Sequence, residues 1–127
     1  MQPPQPLQGI ADKLVQYCRS NDEASGLNEL YAENAVSIEA VDFSGQGRQS
    51  QGLDAIRGKH EWWYGAHEVH SSSVDGPFLH GENQFSLIFD MDVTEKASGQ
   101  RSQMKETATY TIENDKIVKE EFFYALG

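Results

Sequence analysis

The spacing of apolar residues changes period partway along the chain, and the change separates a helical front from a sheet-forming rear. Ile10, Leu14, Tyr17 and Cys18 fall at i, i+4, i+7 and i+8, one face of a helix from about Gly9 to Ser20-Asn21. Ahead of it, Met1 to Gln8 is rich in proline and glutamine, so residues 1–9 are predicted to form a flexible arm and 10–127 a single domain. Asp22 and Ser25 are both N-cap types for a second helix reaching about Ala32, with Leu27, Leu30 and Tyr31 on one face. Ala35 to Val41 alternates with β-branched residues and predicts a strand. Ser44 to Gly47 is a turn, and a polar connection leads to Gly52. Leu53, Ile56, His60 and Trp63 mark a third helix closed by Gly65.

Behind Ala66 the period becomes two. His67 to Val74 is a strand before the turn signal Asp75-Gly-Pro77, and Gly81-Glu-Asn83 is a further break. Gln84 to Thr94 places Phe85, Leu87, Phe89, Met91 and Val93 on one face. Ser98-Gly99 turns the chain into a strand from Arg101 to Ile112, and Glu113-Asn-Asp115 makes a hairpin into a last strand, Lys116 to Tyr124. Three early helices and a late meander predict an α+β fold, with the helices packed on one face of a curved, mainly antiparallel sheet.

Composition narrows the function without naming it. The 127 residues carry 20 acidic and 10 basic side chains, a formal net charge of −10. That field repels phosphate backbones and anionic lipid, so neither nucleic acid nor membrane is an expected partner. No apolar run is long enough to cross a bilayer and no signal peptide is evident, so the expected compartment is cytoplasmic. A single cysteine, Cys18, excludes an internal disulfide and is expected to be buried and inert.

The informative positions are carboxylates that interrupt an apolar period. Met104, Glu106, Ala108, Tyr110 and Ile112 share the core-facing side of their strand, and Glu120 shares a face with Phe122 and Tyr124. A one-residue slip at the hairpin would exchange Glu120 for Glu121, so that choice stays open. An ionised carboxylate in an apolar setting must be paired, protonated or facing a wet cavity. A carboxyl of raised pKa is also what general acid–base chemistry uses. Glu39, by alternation, points away from Val36 and Ile38 and by itself reads as a surface residue. Tyr17 reads first as a core aromatic and second as a ligand-facing hydroxyl. Of Trp62 and Trp63, adjacent on a helix, one is expected to wall a cavity or an interface. His67-Glu-Val-His70 is one residue short of the two-histidine zinc spacing, and no metal site is expected. His70 alone remains a candidate acid, base or hydrogen-bonder. Neither a phosphate-binding glycine loop nor a Gly-x-Ser-x-Gly elbow is present.

The order of elements, with Glu29-Leu-Tyr-Ala-Glu-Asn-Ala-Val-Ser-Ile-Glu39, Gly52-Leu-Asp-Ala-Ile-Arg57 and Asn114-Asp-Lys-Ile-Val-Lys-Glu-Glu-Phe-Phe123, resembles the nuclear transport factor 2-like superfamily. The nearest subgroup is the SnoaL-like set, which is similar to ketosteroid isomerases and polyketide cyclases. The resemblance spans about residues 10 to 124 and implies a cone (a cystatin-like roll): three helices over a strongly bent sheet, with an apolar pocket open at one end. It also implies a homodimer packed through the outer face of the sheet. Ketosteroid isomerase combines an aspartate base with an oxyanion hole of tyrosine and protonated aspartate. The base position falls on Glu39. The tyrosine position falls near Leu14 or Val15, with Tyr17 close by, and the second acid near Ala108, with Glu106 two residues earlier. A cyclase-like constellation with one working acid therefore matches more closely. What the resemblance implies is a binder of a small apolar or carbonyl-containing molecule, working, if an enzyme, as a cofactor-independent isomerase or cyclase by proton abstraction next to a carbonyl. Glu39, Glu106 and His70 would be the catalytic candidates, and Tyr17, Trp62, Trp63, Tyr110, Glu120, Phe122 and Tyr124 the substrate-binding ones. The alternative is a non-catalytic ligand-binding or dimerisation module, with a water-activating hydrolase as a third reading.

Overall fold

Three helices, α1 (Gln5–Arg19), α2 (Glu23–Leu30) and α3 (Leu53–Ala66), interleave with the first two of six strands in the computed structural model, which describes residues 5–42, 45 and 47–124. The strands are β1 (Tyr31–Ile38), β2 (Gln49–Gln51), β3 (His67–His80), β4 (Gln84–Glu95), β5 (Arg101–Glu113) and β6 (Lys116–Phe123). They form one sheet in the order β2-β1-β6-β5-β4-β3, antiparallel throughout except where β1 runs parallel to β6. The early elements thus meet the end of the meander, as the α+β reading requires.

The helices cover the inner face. Leu7, Ile10, Ala11, Leu14, Val15 and Cys18 of α1 pack with Leu27 and Leu30 of α2 against Phe85 and Leu87 of β4 and Ala108 of β5. Removing that much apolar surface from water is the main force holding helices to sheet. Asp22 caps α2, its side chain accepting from the Ser25 N–H. The hairpin between β5 and β6 uses left-handed Asn114 and Asp115 (φ 51° and 62°), the conformation a tight two-residue turn needs.

Four boundaries differ from the sequence reading. The helix α1 begins at Gln5 rather than after an arm of nine residues, and Leu7 is buried. Pro6 is compatible with this because the first turn of a helix leaves its N–H groups unpaired anyway. The rest of the expected arm, and Ser44 and Gln46 of the turn expected at Ser44 to Gly47, lie outside the described residues. The polar connection to Gly52 contains a short edge strand, β2, antiparallel to β1. Strand β1 starts directly at the end of α2. At Asp75-Gly-Pro77 the chain does not turn: β3 runs through it, with a register shift between Asp75 and Phe78. Such an irregularity bends a strand and raises its twist.

Gly76 sits at φ +120°, and a Cβ there would meet the Ser86 carbonyl oxygen at 3.0 Å. Gly76→Ala is therefore expected to lose about 1–3 kcal/mol of stability, read as a lower urea midpoint at unchanged slope.

Candidate functional site

Between the helices and the inner face of the sheet lies a cavity of about 710 Å³. Its apolar wall includes Leu14, Leu27, Phe89, Met91, Met104 and Phe122, and its aromatic side includes Trp62, Trp63 and Tyr64 of α3. Into this wall project four carboxylates, Glu23, Glu39, Glu106 and Glu120, and three basic residues, Arg48, Lys59 and His60.

Glu120 is the most deeply placed of the acids, 1% exposed. Tyr31 donates its hydroxyl to one carboxylate oxygen, and Ser37 donates to the other at 2.7 Å. His60 Nε2 lies 3.5 Å and Lys59 Nζ 3.7 Å from that second oxygen. Burial alone would push this carboxyl up, but the adjacent His60 and Lys59 and the hydroxyl donors outweigh it and hold it at about 2. His60 responds in the opposite sense: burial disfavours its charge, yet the Glu120 carboxylate raises its pKa overall. Lys59 ties the network to Glu39, with Nζ 2.9 Å from Oε1, and also donates to Ser37. Its ammonium sits 4.9 Å from the centre of the Phe122 ring, a cation–π distance.

Glu106 stands apart. It has no hydrogen-bond or ion-pair partner among the described residues, and its surroundings are Met104, Phe89 and the other apolar wall residues. Burial, with the Glu39 and Glu120 carboxylates nearby, pushes its carboxyl up to about 7. One cavity thus holds an acid kept ionised and an acid poised near neutrality.

Most of the sequence candidates converge here: Glu39, Glu106, Glu120, Tyr110, Phe122, Tyr124, Trp62 and Trp63 all line the cavity. Tyr110 is fully buried, with its phenol pushed well above the usual value by burial. Tyr124 is held near Glu39 and the Val41 backbone, and burial pushes its phenol up to about 12. The open choice at the hairpin resolves to Glu120, whereas Glu121 pairs with Lys119 at 3.4 Å. His70 and Tyr17 do not join the others. His70 is exposed beside a register shift of β3, 2.7 Å from Thr94 Oγ1. Tyr17 donates to Glu29 at 2.8 Å, away from the cavity. Alternation on β1 separated Glu39 from Val36 and Ile38 as read, but the two faces are exchanged. Ser37 is buried on the Glu39 side, and Val36 and Ile38 lie half-buried on the outer face. Cys18 is buried as expected, and it also borders the cavity. Among the described residues no group of His, Cys, Asp and Glu is arranged to hold a metal ion, and no helix is long and apolar enough to cross a membrane.

Lys59, His60, Tyr31 and Ser37 were not singled out. His60 sits on the apolar face of α3, where a histidine among Leu53, Ile56 and Trp63 is the available signal. Lys59 gave none, since a lysine one position off a helical stripe ordinarily reaches solvent.

The fold has counterparts in solved structures. A candidate SnoaL-like polyketide cyclase from Mesorhizobium loti is 39% identical, with 92% of this chain and 97% of that one covered at a TM-score of 0.86. The Δ5-3-ketosteroid isomerase of a Mycobacterium species is 15% identical, with 94% and 93% covered at a TM-score of 0.68. A Mycobacterium tuberculosis protein in complex with estradiol-17β-hemisuccinate is 15% identical, with 97% and 96% covered at a TM-score of 0.72. At 15% these last two likenesses establish the nuclear transport factor 2-like cone fold alone. No curated protein matches the chain. The SnoaL-like domain model matches residues 6–124, nearly the whole chain, and the protein belongs to that family.

Proposed function

We propose that the protein binds a small, largely apolar carbonyl compound in the cone and moves a proton next to that carbonyl, as an isomerase or cyclase that needs no cofactor. The observation that carries this reading is Glu106: an unpaired carboxyl on an apolar wall, titrating near neutral pH. A base poised near the working pH combines availability with driving force, which is what abstraction of a weakly acidic C–H requires. Glu39 holds the base position implied by the resemblance, and its carboxylate is engaged by the Lys59 ammonium at 2.9 Å. Its part is to fix the Lys59 ammonium. Lys59 and His60, each anchored by a carboxylate, are the groups suited to stabilise a developing enolate oxygen.

The test is the conversion of a β,γ-unsaturated ketone to its conjugated isomer, followed by ultraviolet absorbance across pH 5–9. With Glu106 as base, kcat/KM rises with pH and levels off above about 7. A ligand that binds but shows neither isomerisation nor exchange of its α-hydrogens for deuterium would assign the cone to carriage instead of catalysis.

The homodimer belongs to the same proposal. On the outer face Phe123, Thr107 and Ile88 stand in one row across β6, β5 and β4, and Phe123 and Phe78 are about half exposed. Apolar side chains on a face without helices are suited to burial against a second copy. The protein is expected to elute as a dimer by size exclusion with light scattering, and Phe123→Asp to shift it toward monomer. A monomeric wild type at micromolar concentration removes this part of the reading.

A further inference from the structure

The charges around the cavity do not cancel evenly, and the remainder points to the shape of the ligand. Glu39 and Glu120 are matched by Lys59 and His60, and Glu23 accepts the Tyr64 hydroxyl. Two groups are left over. One is Glu106 on the apolar wall. The other is Arg48, an exposed cavity-lining residue with no carboxylate within ion-pair distance among the described residues, in a protein of net charge −10.

Arg48 is not a loose surface side chain. Its carbonyl accepts the Glu39 N–H at 2.8 Å, and its own Nε donates back to the Glu39 carbonyl oxygen at 2.8 Å. The two contacts hold the guanidinium beside the end of β1, the strand that delivers Glu39 to the cavity. Using Nε on the backbone leaves the two terminal nitrogens for another acceptor. A guanidinium presents paired donors in one plane, the geometry that fits a carboxylate.

We propose that the ligand is amphipathic and anionic: an apolar body enters the cone, and a carboxylate or similar acidic group at its outer end is bound by Arg48. This rests on the cone being the ligand site, as argued above, and it deepens that reading by assigning the ligand's charge. It also runs against the net charge, which by itself disfavours anions. The local positive charge comes from an arginine set beside Glu39, whose carboxylate is already paired with Lys59. An acidic group at the rim orients the body, so that one end of the molecule reaches Glu106 and the other does not.

Matched pairs of probes test the proposal: estradiol-17β-hemisuccinate against estradiol, and 1-naphthaleneacetate against its methyl ester, by quenching of tryptophan fluorescence. The acid of each pair is expected to bind about 5–10-fold more tightly, a modest preference because the guanidinium is exposed, and to lose that advantage as salt is raised. Arg48→Gln is expected to abolish the preference, and Arg48→Lys to retain part of it. Lys96→Gln removes the same formal charge away from the cavity and is expected to leave the preference intact. Equal affinity for acid and neutral partner, or a preference that survives Arg48→Gln, overturns the assignment while leaving the apolar cone standing. Failure of all four probes to bind overturns both.

Discussion

Glu106→Gln is expected to lower kcat/KM for proton transfer by about 10²–10⁴-fold while ligand affinity changes little. The amide keeps the size and polarity of the side chain but accepts no proton. The same substitution is expected to raise stability at alkaline pH. The native carboxyl titrates near 7, above its unfolded reference of 4.5. A group raised in this way contributes stability below the lower value and loses it as pH rises through the upper one. Above pH 8 the wild type therefore holds an ionised carboxylate in an apolar wall, and the glutamine variant does not. A gain on the order of 1 kcal/mol at pH 8.5, shrinking toward pH 5, is the expected result in urea titrations. Opposite signs for activity and stability mark a functional group, since a structural one loses both together. Unchanged turnover in the variant rules Glu106 out as the base.

Glu120→Ala is expected to cost about 3–5 kcal/mol, a large part of the ~5–15 kcal/mol that holds a domain together. Removing this buried anion leaves the Tyr31 and Ser37 hydroxyls without their acceptor and strips His60 of its counter-charge. The cost reflects stranded partners rather than the net value of the network. Glu121→Gln, one residue along and partly exposed, is expected to stay within about 0.5 kcal/mol. Acid unfolding checks the same point with the sign reversed. Glu120 is depressed to about 2, so its contribution is present above 4.5 and is lost as pH falls toward 2. Glu120→Gln removes that part of the acid limb, and it lowers the His60 pKa followed by proton NMR. Coincident acid limbs for variant and wild type count against the network.

The sheet and helices were legible because their residues repeat. Phe85, Leu87, Met91 and Val93 alternate over β4, and Ile10, Leu14 and Cys18 recur on α1, so period alone assigns faces. Glu106 was legible for the same reason, as a polar exception within an unbroken period on β5. Glu120 was only half legible. The register shift between Thr111 and Ile112 gives β6 one extra residue, so Ile117 and Glu120 both point inward although three positions apart. Alternation cannot count through such an insertion. Glu39 was misjudged from its residues alone for a different reason. The apolar neighbours Val36 and Ile38 mark a buried face only if every polar position on the strand meets water, and here Ser37 is buried on the cavity side while Val36 and Ile38 stay half-buried on the outer one. His70 failed because nothing in its local sequence separates a strand's outer face from its inner one where the register shifts.

The parallel pairing of β1 with β6 ties the opposite ends of the chain into one site. Ser37 is aligned with Glu120, more than eighty residues later, and Lys59 bridges them from between. During synthesis the first strand emerges long before its neighbour in the sheet exists. A nascent chain halted before β6 would carry Glu39 and Lys59 with the place of Glu120 still empty, and the edge of β1 would stand open to other strands. Chaperone engagement is thus expected to concentrate on translation intermediates that already hold β1 and α3 but not yet β6.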